Sequence, residues 1–140
     1  MAVTDYPTKA AVVVRDDLES WQRLNVTAFL VSGLIGAAEP EAIGEDYEDG
    51  DGVVYLPLLV QPLLVFEASA QHLQRARARA AARGVPLAIY TAQMFSTGND
   101  AENRAAVRAV RTEELDLVGI GLRASHRDAD AVLRGLARHP

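Results

Sequence analysis

The feature that most constrains this chain is the run Ala10-Ala11-Val12-Val13-Val14, unbroken by any polar residue and followed at once by Arg15-Asp16-Asp17. A short, β-branched, wholly apolar segment bounded by charge is the pattern of a strand buried on both faces. Helices must then cover both sides of its sheet. Residues 9–14 are therefore the predicted first strand. Ligands in open α/β sheets bind outside the carboxyl ends of such strands, so Arg15, Asp16 and Asp17 mark the first place to look for a site.

The rest of the chain alternates in kind. Ser20 is placed to cap a helix running to about residue 36, with Trp21, Leu24, Ala28, Val31 and Ile35 at helical spacing. Asn25 is the alternative cap, which would leave Trp21 in the preceding loop. Gly33 inside this helix predicts close packing against another backbone. Residues 39–52 hold Pro40, Gly44, Gly50, Gly52 and seven carboxylates, and predict an acidic loop inserted at about 37–52. The crowding of Asp46, Glu48, Asp49 and Asp51 does not follow the alternating ligands of a twelve-residue calcium loop. Residues 53–66 are apolar but broken by Pro57 and by Gln61-Pro62, which predicts two strands, about 53–59 and 63–67.

Ser69 opens a helix that Gly84 and Pro86 end after Arg83. His72, Arg75, Arg79 and Arg83 form a basic stripe on it, read as a solvated face. Residues 87–90 predict a strand, 91–99 a polar turn region, 100–110 a helix and 115–121 the last strand. Ser125-His126-Arg127-Asp128 has capping-box spacing for a final helix. Such alternation predicts one α/β domain over residues 1–140.

Several chemistries are excluded or weakened. The chain has no cysteine, so disulfides, thiolate metal sites and cysteine nucleophiles are absent together. His72, His126 and His139 are scattered and each is expected to be exposed, so no metal site is expected. Met1-Ala2-Val3-Thr4-Asp5 lacks the basic-then-apolar pattern of a secretory leader, and no apolar run approaches membrane-spanning length. A cytoplasmic location without membrane contact is the expectation. Gly119-Ile120-Gly121-Leu122-Arg123-Ala124 matches the dinucleotide fingerprint in letters only. Sixteen residues follow it, with no strand and no acidic partner for a ribose. Tight strand-to-helix turning is the reading adopted, and no cofactor is expected. Ser125 and His126, being adjacent, do not face each other as a nucleophile and base must.

Charge is segregated: residues 1–70 carry three basic residues against twelve acidic ones, and residues 71–140 eleven arginines against seven acids. A polyanion such as nucleic acid is one partner this suggests, though not the favoured one. The other is a second subunit whose basic helices face the acidic loop. The excess of arginine over lysine, thirteen to one, is the composition expected of a GC-rich genome.

Residues 90–104, from Tyr90 to Arg104, concentrate hydrogen-bonding side chains just past a strand end. Thr97, Gly98 and Asn99 would offer free amides to an anion at a helix N-terminus, with Arg104 one turn inside. The competing reading makes Thr97, Asn99 or Asp100 plain caps and Met94 and Phe95 core plugs.

With these elements placed, the chain resembles the type II peptidyl-tRNA hydrolase superfamily. Within it, the chain is most similar to a bacterial domain-of-unknown-function family, family two thousand. The resemblance rests on Lys9-Ala-Val-Val-Val-Arg15-Asp-Asp-Leu18, Gln61-Pro-Leu-Leu-Val-Phe-Glu-Ala68 and Val118-Gly-Ile-Gly-Leu122. Two further segments belong to the closer family: Trp21-Gln-Arg-Leu-Asn-Val-Thr-Ala-Phe29, and Phe95-Ser-Thr-Gly-Asn-Asp100 continuing to Asn103-Arg104. It implies a three-layer α/β/α domain with a central mixed sheet of four to five strands, often a homodimer. The hydrolases place a lysine where this chain has Asn25 and an Asp-centred turn near Thr91-Ala92. They place a glutamine and a histidine near Phe29 and Ser32. The acid–base groups are thus missing, and peptidyl-tRNA hydrolysis by that mechanism is not expected.

The expectation is a binding or regulatory module for a small anionic ligand. Arg15 and Arg104 would contact the anion, with Asp16, Asn25, Thr91, Thr97, Asp100 and Asn103 around it. The alternative is an ester or amide hydrolase using Asp16 or Asp100 as base, with Thr91 or Thr97 nearby. Both readings require the ends of strands 9–14 and 87–90 to open side by side onto a shared hollow.

Overall fold

The computed structural model describes residues 2–140. Its centre is β1 (Thr8–Arg15), flanked by β4 (Leu63–Ala68) in parallel and by β6 (Leu117–Ser125) antiparallel. β5 (Ala88–Thr91) pairs antiparallel with β6 at one edge, and β7 (Ala137–Arg138) with β4 at the other, giving the order β5-β6-β1-β4-β7. The sheet is mixed, as the resemblance implied.

Alternation along β1 divides the core. Val12 and Val14 pack with Val26 and Leu30 of α1 (Ser20–Gly36) on one face. Ala11 and Val13 pack on the other with Leu73, Ala76 and Ala80 of α2 (Ala70–Ala82) and with Ala129 and Val132 of α4 (His126–Leu133). Helices therefore cover both faces, and the apolar run is buried throughout. Ser69 caps α2 by accepting from the His72 amide at 3.1 Å, and Gly84 ends it at φ +67°, where a side chain would be strained. Ser125 caps α4 by accepting from the Asp128 amide, as its spacing predicts.

Four expectations need correction. Asn25 caps nothing: α1 begins at Ser20, and its buried residues are Val26, Leu30 and Leu34, leaving Trp21 and Leu24 outward. Residues 53–59 do not add a strand to the central sheet: only Val54–Tyr55 (β3) is extended into a ladder, folding back on β2 (Tyr47–Glu48). The acidic loop is thus one limb of a small hairpin. Gly119 and Gly121 do not turn the chain. They lie inside β6 where α1 presses on the sheet, and a Cβ at 119 would meet Val26 Cγ1 at 2.6 Å. Finally, the basic stripe of α2 is not simply solvated. Arg79 donates to the Arg134 carbonyl at 3.0 Å and Arg83 pairs with Asp128.

α3 (Asp100–Arg108) stands apart from the core and buries no residue of its own. Among the described residues, no helix is long and apolar enough to cross a membrane.

Candidate functional site

β1 and β5 both run antiparallel to β6, so both end on the same rim. The hollow expected between them is nonetheless filled. The Phe95 ring meets Trp21 edge-on at 5.9 Å and Tyr90 at 5.2 Å, and Tyr90 continues the stack to Phe29 at 5.9 Å. Contacts of this geometry are favourable beyond the area they bury, and the plug reading of Phe95 is the one the structure follows.

Arg15 is accordingly occupied. Its guanidinium donates to Asp17 at 2.6 Å and Asp116 at 2.7 Å, and to the Leu117 carbonyl. Partial burial pulls its pKa down, but the Asp17 and Asp116 hydrogen bonds outweigh that and raise it. The Asp16 side chain points to solvent while its carbonyl accepts from Arg23 at 2.5 Å. Arg23 also donates to the Leu18 carbonyl, pairs with Glu67 and meets His139 Nε2 at 2.9 Å, closing the chain's last strand onto the rim. His139 and His126 are half-buried rather than exposed; His126 Nε2 lies 2.6 Å from the Tyr6 carbonyl. Asn25 reaches only the Tyr90 hydroxyl, at 3.5 Å. Thr91 is 1% exposed, and its hydroxyl has no hydrogen-bond partner among the described residues.

The remaining predicted residues do converge, on the other side of the aromatic stack. A cleft of about 750 Å³ runs between α1 and α3, floored by β5. Phe29, Ser32 and Gly33 form its α1 wall; Ala88, Ile89, Tyr90 and Met94 its floor. Asp100, Asn103, Arg104, Val107 and Arg108 form the α3 wall. Gly33 is what lets α1 sit so low here, since a Cβ would stand 3.1 Å from Ala88 Cβ.

Local sequence sets α3 in place. Asn99 accepts from the Glu102 amide at 2.9 Å and caps the helix, and Glu102 reaches back to the Gly98 amide at 2.6 Å. Of the three amides expected to face an anion at this helix start, that of Gly98 is taken by the chain's own Glu102 side chain. Thr97 accepts no such role: its hydroxyl bonds the Met94 carbonyl and the Asn103 side chain, fixing Asn103. Arg104 pairs with Asp100 one turn away at 2.8 Å, with both side chains largely in solvent. Arg108 has no ion pair among the described residues.

Of the eight predicted site residues, then, Asp100, Asn103 and Arg104 line one cleft and Thr97 supports it. Arg15, Asp16, Asn25 and Thr91 lie outside its lining. Phe29, Ser32, Met94 and Arg108 were not foreseen as a group. Among the described residues, no cluster of three or more His, Asp or Glu side chains is spaced to hold a metal.

This fold and site define a mixed-sheet α/β domain with an amphipathic cleft at its β5 edge. The chain belongs to DUF2000, a family of proteins of unknown function, whose model matches residues 8–140. A solved structure of a protein of unknown function from Agrobacterium tumefaciens C58 is similar to it at 40% identity. That match has a TM-score of 0.94 and covers 96% of this chain and 99% of the other. No curated protein matches the chain.

Proposed function

We propose that the chain is a binding module for a small anionic molecule with an apolar body, held in the cleft between α1 and α3. One observation carries this reading: Asn103, Arg104 and Arg108 stand on one wall, facing Phe29 on the other, above a floor of Ala88, Ile89, Tyr90 and Met94. A few convergent polar groups over an apolar surface are what a small-molecule site requires. Arg104 is available, because an exposed i,i+4 pair such as Asp100–Arg104 is worth only about 0.3–0.5 kcal/mol. Arg108 offers a second guanidinium, suited to bidentate contact with a carboxylate or phosphate.

The finer placement in the type II peptidyl-tRNA hydrolase-like superfamily is part of this proposal. It is supported by Phe29 and Ser32, the positions where the hydrolases carry a glutamine and a histidine, since both line the cleft. The substitution of apolar and neutral groups there favours binding over turnover. The hydrolase alternative is left with Asp100, solvated and paired to Arg104, and with no hydroxyl held against it.

The test is a thermal-shift screen of alkyl and aryl carboxylates and phosphate monoesters. Arg104→Ala and Arg108→Ala should each reduce the stabilisation by a confirmed hit at least several-fold. Equal stabilisation of both variants and parent would refute the site. Turnover of an ester or amide that Asp100→Asn abolishes would replace binding with hydrolysis.

A further inference from the structure

The two walls of the cleft differ in kind. α1 gives it no charged group, and the one hydroxyl on that wall, Ser32, donates to the Phe29 carbonyl at 2.5 Å within the helix. The floor is apolar apart from the Tyr90 hydroxyl. Every charge is on α3, where Asp100, Arg104 and Arg108 follow one another at i, i+4 and i+8 and so share one side of the helix. The polar head of a ligand therefore belongs against α3, and its apolar part against α1 and β5.

The bonds already made on α3 specify that head. Arg104 donates to Asp100 through Nε, at 2.8 Å. Its two terminal nitrogens, the pair that grips a carboxylate, have no partner among the described residues. Asp100 accepts on Oδ2 and keeps Oδ1 free in the same sense. Asn103 gives its Oδ1 to the Thr97 hydroxyl and retains its NH2 as a donor. A cation acceptor and an anion fork thus stand side by side, tied by one hydrogen bond. A plain carboxylate or phosphate approaching the Arg104 fork meets the Asp100 carboxylate next to it and is repelled. A molecule with an ammonium beside its carboxylate turns that repulsion into a second charged contact and leaves the Asp100–Arg104 bond unbroken. Its two charges must be neighbours, because the groups that meet them are. An α-amino acid carries both on one carbon, whereas each added peptide residue parts them by roughly 3.3–3.6 Å.

We infer that the cleft takes a free α-amino acid with a large apolar side chain. Its ammonium meets Asp100, its carboxylate meets Arg104 with Asn103 and Arg108 beside it, and its side chain lies against Phe29, Tyr90 and Met94. The cleft's volume of about 750 Å³ admits a bulky side chain, being within the roughly 300–1,000 Å³ of small-molecule sites. This occupant presupposes the ligand reading of the cleft and narrows it, since the anionic group is then a carboxylate with a cation attached.

The experiment is calorimetric titration of the full chain, checked by thermal shift, with L-phenylalanine, 3-phenylpropionate, 2-phenylethylamine, phenyl phosphate and glycine. L-phenylalanine should bind, and loss of its ammonium, its carboxylate or its side chain should each weaken binding about ten-fold or more. Asp100→Asn keeps an oxygen for Arg104 Nε but removes the charge. It should weaken L-phenylalanine about ten-fold and leave 3-phenylpropionate equal or tighter, a reversal that simple damage to α3 would not produce. Arg104→Gln should weaken both. If 3-phenylpropionate, phenyl phosphate or glycine binds as tightly as L-phenylalanine, the amino-acid assignment is overturned, and the two anions then show the broader anion site still standing. Parallel losses of L-phenylalanine and 3-phenylpropionate in Asp100→Asn overturn it as well. Absence of L-phenylalanine binding at about 10 mM also overturns it; silence from both anions in the same series removes the cleft reading along with it.

Discussion

The close approach of α1 to β6 makes Gly119→Ala the sharpest probe of this structure. A methyl group at 119 would lie 2.6 Å from Val26 Cγ1, 3.0 Å from Leu30 Cδ1 and 3.3 Å from the Val13 carbonyl oxygen. The Leu30 methyl is the end of a flexible side chain and can yield. Val26 is fully buried and stiff at χ1, and the Val13 carbonyl belongs to the central strand, so neither gives way without moving α1. Overpacking of this kind costs about 1–3 kcal/mol. Alanine restricts the unfolded chain more than glycine does, which offsets about 0.4–1 kcal/mol. The net loss is about 1–2 kcal/mol. With an unfolding entropy of about 2.1 cal/mol/K per residue, that lowers Tm by about 3–7 °C for a chain of this length. Calorimetry of Gly119→Ala in the parent and in Val26→Ala is the assay. In the Val26→Ala background the added methyl should cost clearly less, because its closest contact is gone while the 3.3 Å approach to the Val13 oxygen remains. Gly36→Ala, with nothing within 4 Å of its Cβ, should instead stabilise by about 0.5–1 kcal/mol. A Gly119→Ala Tm within a degree of the parent, or an equal cost in both backgrounds, refutes the packing argument.

Three further outcomes follow from the same geometry. Thr91→Val removes a buried hydroxyl that has no partner, so it should be neutral or stabilising by about 1 kcal/mol in urea titration, whereas a clear loss would reveal a partner. Asn99→Ala removes the cap of a helix that buries none of its residues, and should cost about 1 kcal/mol and speed amide exchange across α3. The β2–β3 hairpin should be bounded by pH on both sides. The Tyr55 hydroxyl bond and backbone amides hold Asp49 below its usual pKa, so that contribution is present above about pH 3.8 and lost as pH falls through the lowered value. Hydrogen bonding to Asp49 and burial raise Tyr55, so its contribution is present below pH 10 and lost as pH rises through the raised value. At the hairpin's root the Arg123 hydrogen bonds hold Glu39 down to about 2 from 4.5, and that anchor is lost between those values on acidification. Amide exchange at Val53 across pH should show protection failing at both extremes; a flat profile contradicts the assignment.

The framework was legible because it rests on local pattern. Five consecutive apolar residues with charge behind them imply a doubly covered strand whatever the tertiary context, and Ser69 and Ser125 could be recognised as caps from spacing alone. What misled was any inference that assumed the face of α1. Its apolar residues occur all round, so periodicity could not choose between the row of Trp21 and Leu24 and the row of Val26, Leu30 and Leu34. The choice was made elsewhere, by Gly119 and Gly121, whose missing side chains admit the second row. The same pair carried a fingerprint's letters without its function, and those letters invited a turn although both glycines fell within the strand expected at 115–121.

The site divided along the same line. Asp100, Asn103 and Arg104 could be grouped from sequence because they follow a strand end on a single short helix, where neighbours in sequence are neighbours in space. That Arg15 is held apart from them could not be read, because its ion partner, Asp116, is distant in sequence. Phe29 and Ser32 entered only as positions where hydrolase side chains were missing. Their wall of the cleft is created by the height of α1 above β5, which Gly33 over Ala88 determines. The depth of the cleft therefore depends on glycine packing as much as on its polar residues. Gly33→Val should accordingly lift α1, widen the cleft and weaken a bound anion while leaving Arg104 and Arg108 untouched. Unchanged affinity in that variant would mean that α3 alone makes the site.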